Sequence, residues 1–128
     1  MTVQQEISTL IVDDQADVRM LLRLLIDAAN DGLVVVGEAA SGAEAIESID
    51  AQEPLVVILD EMMPNMTGTE TANRVRKSRP SQILILCTAY LDEAVIARAR
   101  AVGMDGWLDK QEITQLPELI RSVVAQRN

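Results

Sequence analysis

The sequence contains no histidine and no phenylalanine, one tryptophan and one tyrosine. Without histidine, zinc sites and His-based catalytic triads are not expected. With so few aromatics, the core must be filled by Leu, Ile, Val, Ala and Met. The single cysteine, Cys87, cannot form an internal disulfide, which fits a reducing compartment. It lies in the apolar run 83–87 and reads as a buried structural thiol. Positive charge is scarce: 11 Lys and Arg stand against 20 Asp and Glu, for a net charge of −9. That balance argues against a basic nucleic-acid surface. No apolar run reaches membrane-spanning length, and the first six residues lack a signal-peptide core. A cytoplasmic protein without membrane contact is expected.

What is present is an alternation. Short apolar runs occur at residues 10–12, 34–36, 55–59 and 83–87, with a weaker fifth at 106–108. Their continuous apolarity suggests strands buried on both faces, as in a parallel sheet. Helical patterns lie between and after them. In residues 16–29, Val18, Leu21, Leu22, Leu25 and Ala29 share a face. Residues 43–51 and 91–102 repeat the period, with Gly103 placed as a left-handed cap. A last helix is expected to start near Pro117. The third helix, about 69–77, is the least apolar. No linker divides the chain, so one domain over residues 1–128 is expected. Five β-α units of this kind predict an α/β fold, a doubly wound parallel five-stranded sheet.

In such sheets the chemistry gathers at the carboxyl ends of the strands. The first run ends in Asp13-Asp14, the third in Asp60-Glu61 and the fourth in Thr88-Ala89. The fifth ends just before Lys110, one of only two lysines. Each residue alone could be an ordinary polar strand end. As a set they are harder to explain, because Asp13, Asp14 and Asp60 would repel one another. A divalent cation resolves that repulsion, and oxygen-only ligands favour Mg²⁺.

At these residues the sequence resembles the receiver domains of two-component response regulators. The resemblance is carried by LIVDDQADVR at 10–19, VVILDEMMPNMTG at 56–68, LILCTA at 84–89 and GMDGWLDK at 103–110. It implies a flavodoxin-like (βα)5 sheet of order 2-1-3-4-5. It also implies that Asp60 takes a phosphoryl group from a sensor histidine kinase or phosphotransfer protein. Asp14, Asp60 and the backbone carbonyl of Met62 would hold Mg²⁺, with Asp13 assisting. Lys110 would pair with Asp60 and then with a phosphoryl oxygen. Thr88 would donate its hydroxyl to another, and the small Ala89 leaves that pocket accessible. Trp107, three positions before Lys110, would move into the space that Thr88 vacates. Side chains at Met62 and Tyr90 would gate water. The protein would be no enzyme beyond its own phosphotransfer and dephosphorylation.

Two departures from the family stand out. Gln111 follows Lys110 where many receivers have Pro, which leaves a trans or a cis peptide open. Glu61 follows the expected acceptor and is unusual there. The stretch VVGEAASGAEAI at 35–46 resembles NarL/LuxR-type regulators. No output domain is expected within the 128 residues, so a regulator cut at its linker and a stand-alone receiver both remain open. Met20, Leu24 and Ile26 widen the apolar arc of the first helix, suggesting a kinase or homodimer contact that involves the first and last helices. Three rival readings share parts of this pattern. A haloacid-dehalogenase-type hydrolase needs an Asp-x-Asp motif, which Asp13-Asp14-Gln15 does not supply. An FMN carrier needs a phosphate-cradling loop, which Asp13, Asp14 and Asp17 would repel. A degenerate receiver that takes no phosphate stays open because of Glu61.

Overall fold

The structure is a computed structural model and describes residues 6–127. Strands and helices alternate: β1 (Ile7–Val12), α1 (Ala16–Ala29), β2 (Leu33–Ala39), α2 (Gly42–Gln52), β3 (Val56–Leu59), α3 (Gly68–Ser78), β4 (Ile83–Thr88), α4 (Glu93–Ala101), β5 (Gly106–Asp109) and α5 (Leu116–Arg127). The strands form one sheet in the order β2-β1-β3-β4-β5, and every pair is parallel. The expected doubly wound sheet is therefore the observed one.

The apolar runs explain the sheet's interior. Every residue of β3 and β4 is buried. Successive side chains point to opposite faces, so each strand feeds two cores. Leu10, Val57, Leu59, Leu84 and Leu86 face α2, α3 and α4, where Ile49, Val75 and Ala99 meet them. Ile11, Ile58, Ile85 and Cys87 face α1 and α5, against Leu22, Ile26, Ile120 and Val123. Burial pushes the Cys87 thiol up to about 12.

Helix starts follow from capping chemistry. The side chains of Ser41, Thr67 and Asp92 accept the backbone N–H of Glu44, Glu70 and Val95 at the heads of α2, α3 and α4. Gly103 adopts φ +78° after α4, as its position predicted. α4 is thinly embedded, burying only Val95 and Ala99.

The structure corrects one expectation, settles a point left open and adds an unforeseen segment. The buried face of α1 is centred on Leu22 and Ile26, one turn apart. Ile26 is therefore fully buried and does not join an outer apolar arc, while Leu21 is 44% exposed and lies with Met20 and Leu24 instead. No cis peptide occurs among the described residues, so the Lys110–Gln111 bond is trans. The chain does not pass directly into the last helix. It first makes a 3-10 segment, Lys110–Gln115, whose start is capped by Asp109 accepting the Gln111 N–H at 2.9 Å.

Candidate functional site

Sheet hydrogen bonding runs past the ends of two strands. Asp13 N–H donates to the Ala39 carbonyl at 3.1 Å, and Asp60 N–H to the Val12 carbonyl at 3.0 Å. This ladder draws the acidic ends of β1 and β3 together at the point where strand order reverses. Asp13 and Asp60 are buried and Asp14 is exposed. One carboxylate oxygen from each of the three lies within 4.8 Å of the others. From the end of β5, Lys110 reaches across. Its Nζ is 2.8 Å from Asp13 Oδ2 and 3.3 Å from Asp60 Oδ2.

The electrostatics are unbalanced. Burial, and then the negative charge of Asp13, push the Asp60 carboxyl above its usual range; Lys110 and the Thr88 hydroxyl oppose them without cancelling them. Burial works to lower Lys110, but its hydrogen bond to Asp13 and the charges of Asp60 and Asp13 outweigh that and leave it raised. Asp60 Oδ1 is buried and has no hydrogen-bond partner. An ionised oxygen left so is costly. Its orphaned state, beside two further carboxylates and no nitrogen or sulfur ligand, fits a hard cation such as Mg²⁺.

The surroundings hold this geometry. Asp13 Oδ1 accepts the Gln15 N–H at 2.9 Å, and Arg19 donates to the Asp13 carbonyl at 2.7 Å. A Cβ at Gly68 would lie 2.3 Å from the Asp60 carbonyl oxygen, so the start of α3 can close on the end of β3 only with glycine there. Thr88, fully buried, donates its hydroxyl to the Ala89 carbonyl at 3.3 Å. Ala89 is half-buried. Trp107 is half-buried under the guanidinium of Arg100, which sits 5.2 Å from its ring centre. Met62 and Tyr90 stand out into solvent, 68% and 87% exposed.

The structure thus brings Asp13, Asp14, Asp60 and Lys110 into one cluster and puts Thr88 and Ala89 at the neighbouring strand end. Trp107 lies on β5 beside Leu86, packed against the core of the α2, α3 and α4 face. Sequence reasoning treated Glu61 as an anomaly and missed its role. It is 2% exposed, and it accepts hydrogen bonds from the backbone and hydroxyl of Thr69 and from Arg98. A carboxylate ahead of the Thr67-Gly68-Thr69 helix start was the available signal.

The family model described as response regulator receiver domain matches residues 9–122. Chemotaxis protein CheY of Thermotoga maritima is 36% identical over 101 residues, covering 79% of this chain and 82% of that protein. The nitrate/nitrite response regulator NarL of Escherichia coli K12 is 34% identical over 111 residues, covering 86% of this chain and 50% of NarL. The chain likewise spans about half the length of YdfI of Bacillus subtilis, with 46% of it covered. Among solved structures, a LuxR-family DNA-binding response regulator from Staphylococcus aureus superposes with a TM-score of 0.84 at 30% identity, covering 94% of this chain and 98% of that one.

Proposed function

The chain belongs to the response regulator receiver domain family, as a receiver of two-component systems, and from that premise we propose that Asp60 is its phosphoryl acceptor. A carboxylate oxygen of Asp60 attacks the phosphorus of a phosphohistidine on a sensor kinase or phosphotransfer protein. The phosphorus–nitrogen bond breaks, the imidazole leaves, and an acyl phosphate remains on Asp60. Such a mixed anhydride hydrolyses readily, which suits a reversible signal. The chain's chemistry ends with making and losing this phosphoryl group.

Asp13, Asp14, Asp60 and the Met62 carbonyl would hold Mg²⁺, which supplies charge neutralisation for the phosphoryl oxygens. The chain's own residues do the positioning. Asp60 is presented by a rigid, fully buried strand. Lys110 is close enough to exchange carboxylate for phosphoryl oxygen. The Thr88 hydroxyl already acts on the Asp60 carboxyl and makes a long bond to the Ala89 carbonyl, and the small Ala89 keeps the way open. Trp107 follows Thr88 when the domain switches. The transfer is mainly orientation and charge placement.

The observation that carries this reading is the buried Asp60 oxygen without a partner, set among two carboxylates and one ammonium. The test is incubation with acetyl phosphate and Mg²⁺, followed by mass. Wild type gains one phosphoryl group and Asp60→Asn gains none. A wild type without the gain overturns the reading and would make the domain phosphorylation-independent.

The relatives suggest the output. The match covers only 50% of NarL and 46% of YdfI, both regulators, so transcription control through a further domain is the reading we favour. CheY, of which the chain covers 82%, supports a second reading, action by protein contacts alone. Among the described residues no helix is long and apolar enough to cross a membrane, and we place the domain in the cytoplasm, without nucleic-acid contact of its own.

A further inference from the structure

Glu61 is anchored in the backbone next to the acceptor, and its carboxylate is fully used. One oxygen accepts the Thr69 N–H at 2.7 Å, in the first turn of α3. The other accepts the Thr69 hydroxyl at 2.9 Å and the Arg98 Nε at 3.3 Å. Arg98 belongs to α4. One buried side chain therefore joins the helix after β3 to the helix after β4.

α4 has little else to hold it, with two buried residues in nine. Arg100 lies over Trp107, and just before the helix the Leu91 N–H donates to Asp109 at 3.1 Å. Two residues along a helix turn by about 200°, so Arg98 and Arg100 leave α4 on opposite flanks. One flank is held beside the phosphorylation site and the other at β5.

We propose that the Glu61–Arg98 ion pair is a tether that holds α4 in its resting position and sets part of the cost of switching. It depends on the Asp60 reading above, but its route is separate from Thr88 and Trp107. The physical logic is a population argument. Glu61 follows Asp60 directly in the chain, so a group added at Asp60 that shifts the end of β3 must carry or break the pair to α4. Such a ligand binds in proportion to the fraction of molecules in which α4 is already released. A tether lowers that fraction, and cutting it raises the fraction. Arg98 is more than half exposed, so water screens the pair and the effect is a modest one, about two- to fivefold.

The experiment is a double-mutant cycle with the full chain. Wild type, Arg98→Ala, Glu61→Gln and the double variant are titrated with beryllofluoride in excess Mg²⁺ and followed by calorimetry. Arg98→Ala should bind about two- to fivefold more tightly than wild type. In the Glu61→Gln background, where the ion pair is already gone, the same substitution should change nothing. Equal or weaker binding by Arg98→Ala overturns the tether. So does an identical Arg98→Ala effect in both backgrounds, since Arg98 would then act without Glu61. Wild type that gains no mass from acetyl phosphate overturns the Asp60 reading itself, which keeps the two failures apart.

Discussion

Lys110 makes its shortest ion pair with Asp13, at 2.8 Å, and not with the proposed acceptor. The ammonium is shared between carboxylates, and it stands where it competes with a bound cation. Removing it has two opposite effects. Lys110→Ala should bind Mg²⁺ several-fold more tightly, because a like charge has left the site. Without Mg²⁺ it should lose about 1–3 kcal/mol of stability, because the buried carboxylates lose their counter-charge. Calorimetric Mg²⁺ titration and melting in chelator measure the two separately.

Asp60 gives a pH-dependent prediction. Its folded-state pKa is raised from 3.8, chiefly by burial. The folded protein therefore holds this proton more firmly than the unfolded chain, and ionised Asp60 costs stability. That cost is full above the folded pKa, fades as pH falls towards 3.8, and is absent below it. In chelator, Asp60→Asn should melt higher than wild type at neutral pH, and the gap should close in acid. A gap that widens in acid contradicts the assignment.

Gly68 tests how closely the site is packed. A methyl group there meets the Asp60 carbonyl oxygen at 2.3 Å, so strand end or helix start must move. Gly68→Ala should cost about 1–3 kcal/mol. Misplacing the acceptor should also slow phosphorylation by acetyl phosphate roughly ten- to hundredfold. A stability loss without a rate loss would show that the strain is absorbed in α3.

Met62 and Tyr90 bear on the lifetime of the signal. Both are bulky, exposed and without a carboxylate that could orient water. We expect slow self-dephosphorylation, with Met62→Ala and Tyr90→Ala each shortening the lifetime. Decay of the phosphorylated wild type within seconds argues against a shielding role.

The outer face of α1 bears on partners. Met20, Leu21 and Leu24 are 65%, 44% and 59% exposed, a cluster of the kind that marks contact surfaces. Leu24→Glu should alter folding stability by no more than about 0.5 kcal/mol and should impair phosphotransfer from the kinase, self-association, or both. If neither changes, this face is not a docking surface.

The sheet was legible because β3 is apolar at every position and β4 at all but its last, Thr88, a pattern that fits strands covered on both faces. The strand-end chemistry followed, since Asp13, Asp60, Thr88 and Lys110 each come at or just after an apolar run. Other features depend on what folding places opposite a residue. Leu21 and Ile26 both fit a helical stripe, and only the docking angle of α1 decides which is covered. Glu61 looked out of place because its partners, Thr69 and Arg98, lie 8 and 37 residues away. The 3-10 segment after Lys110 rests on the Asp109 cap, a local bond that hydrophobic periodicity does not register.

The burial of Cys87 has a use at the bench. Thiol-directed reagents are attacked by the thiolate, and a group pushed up to about 12 on a closed strand supplies almost none at neutral pH. A cysteine introduced at exposed Ala97, on α4, would be the one thiol to take a maleimide label. The native residue need not be removed first, and a spin or fluorescent reporter could be carried on the helix held by Arg98.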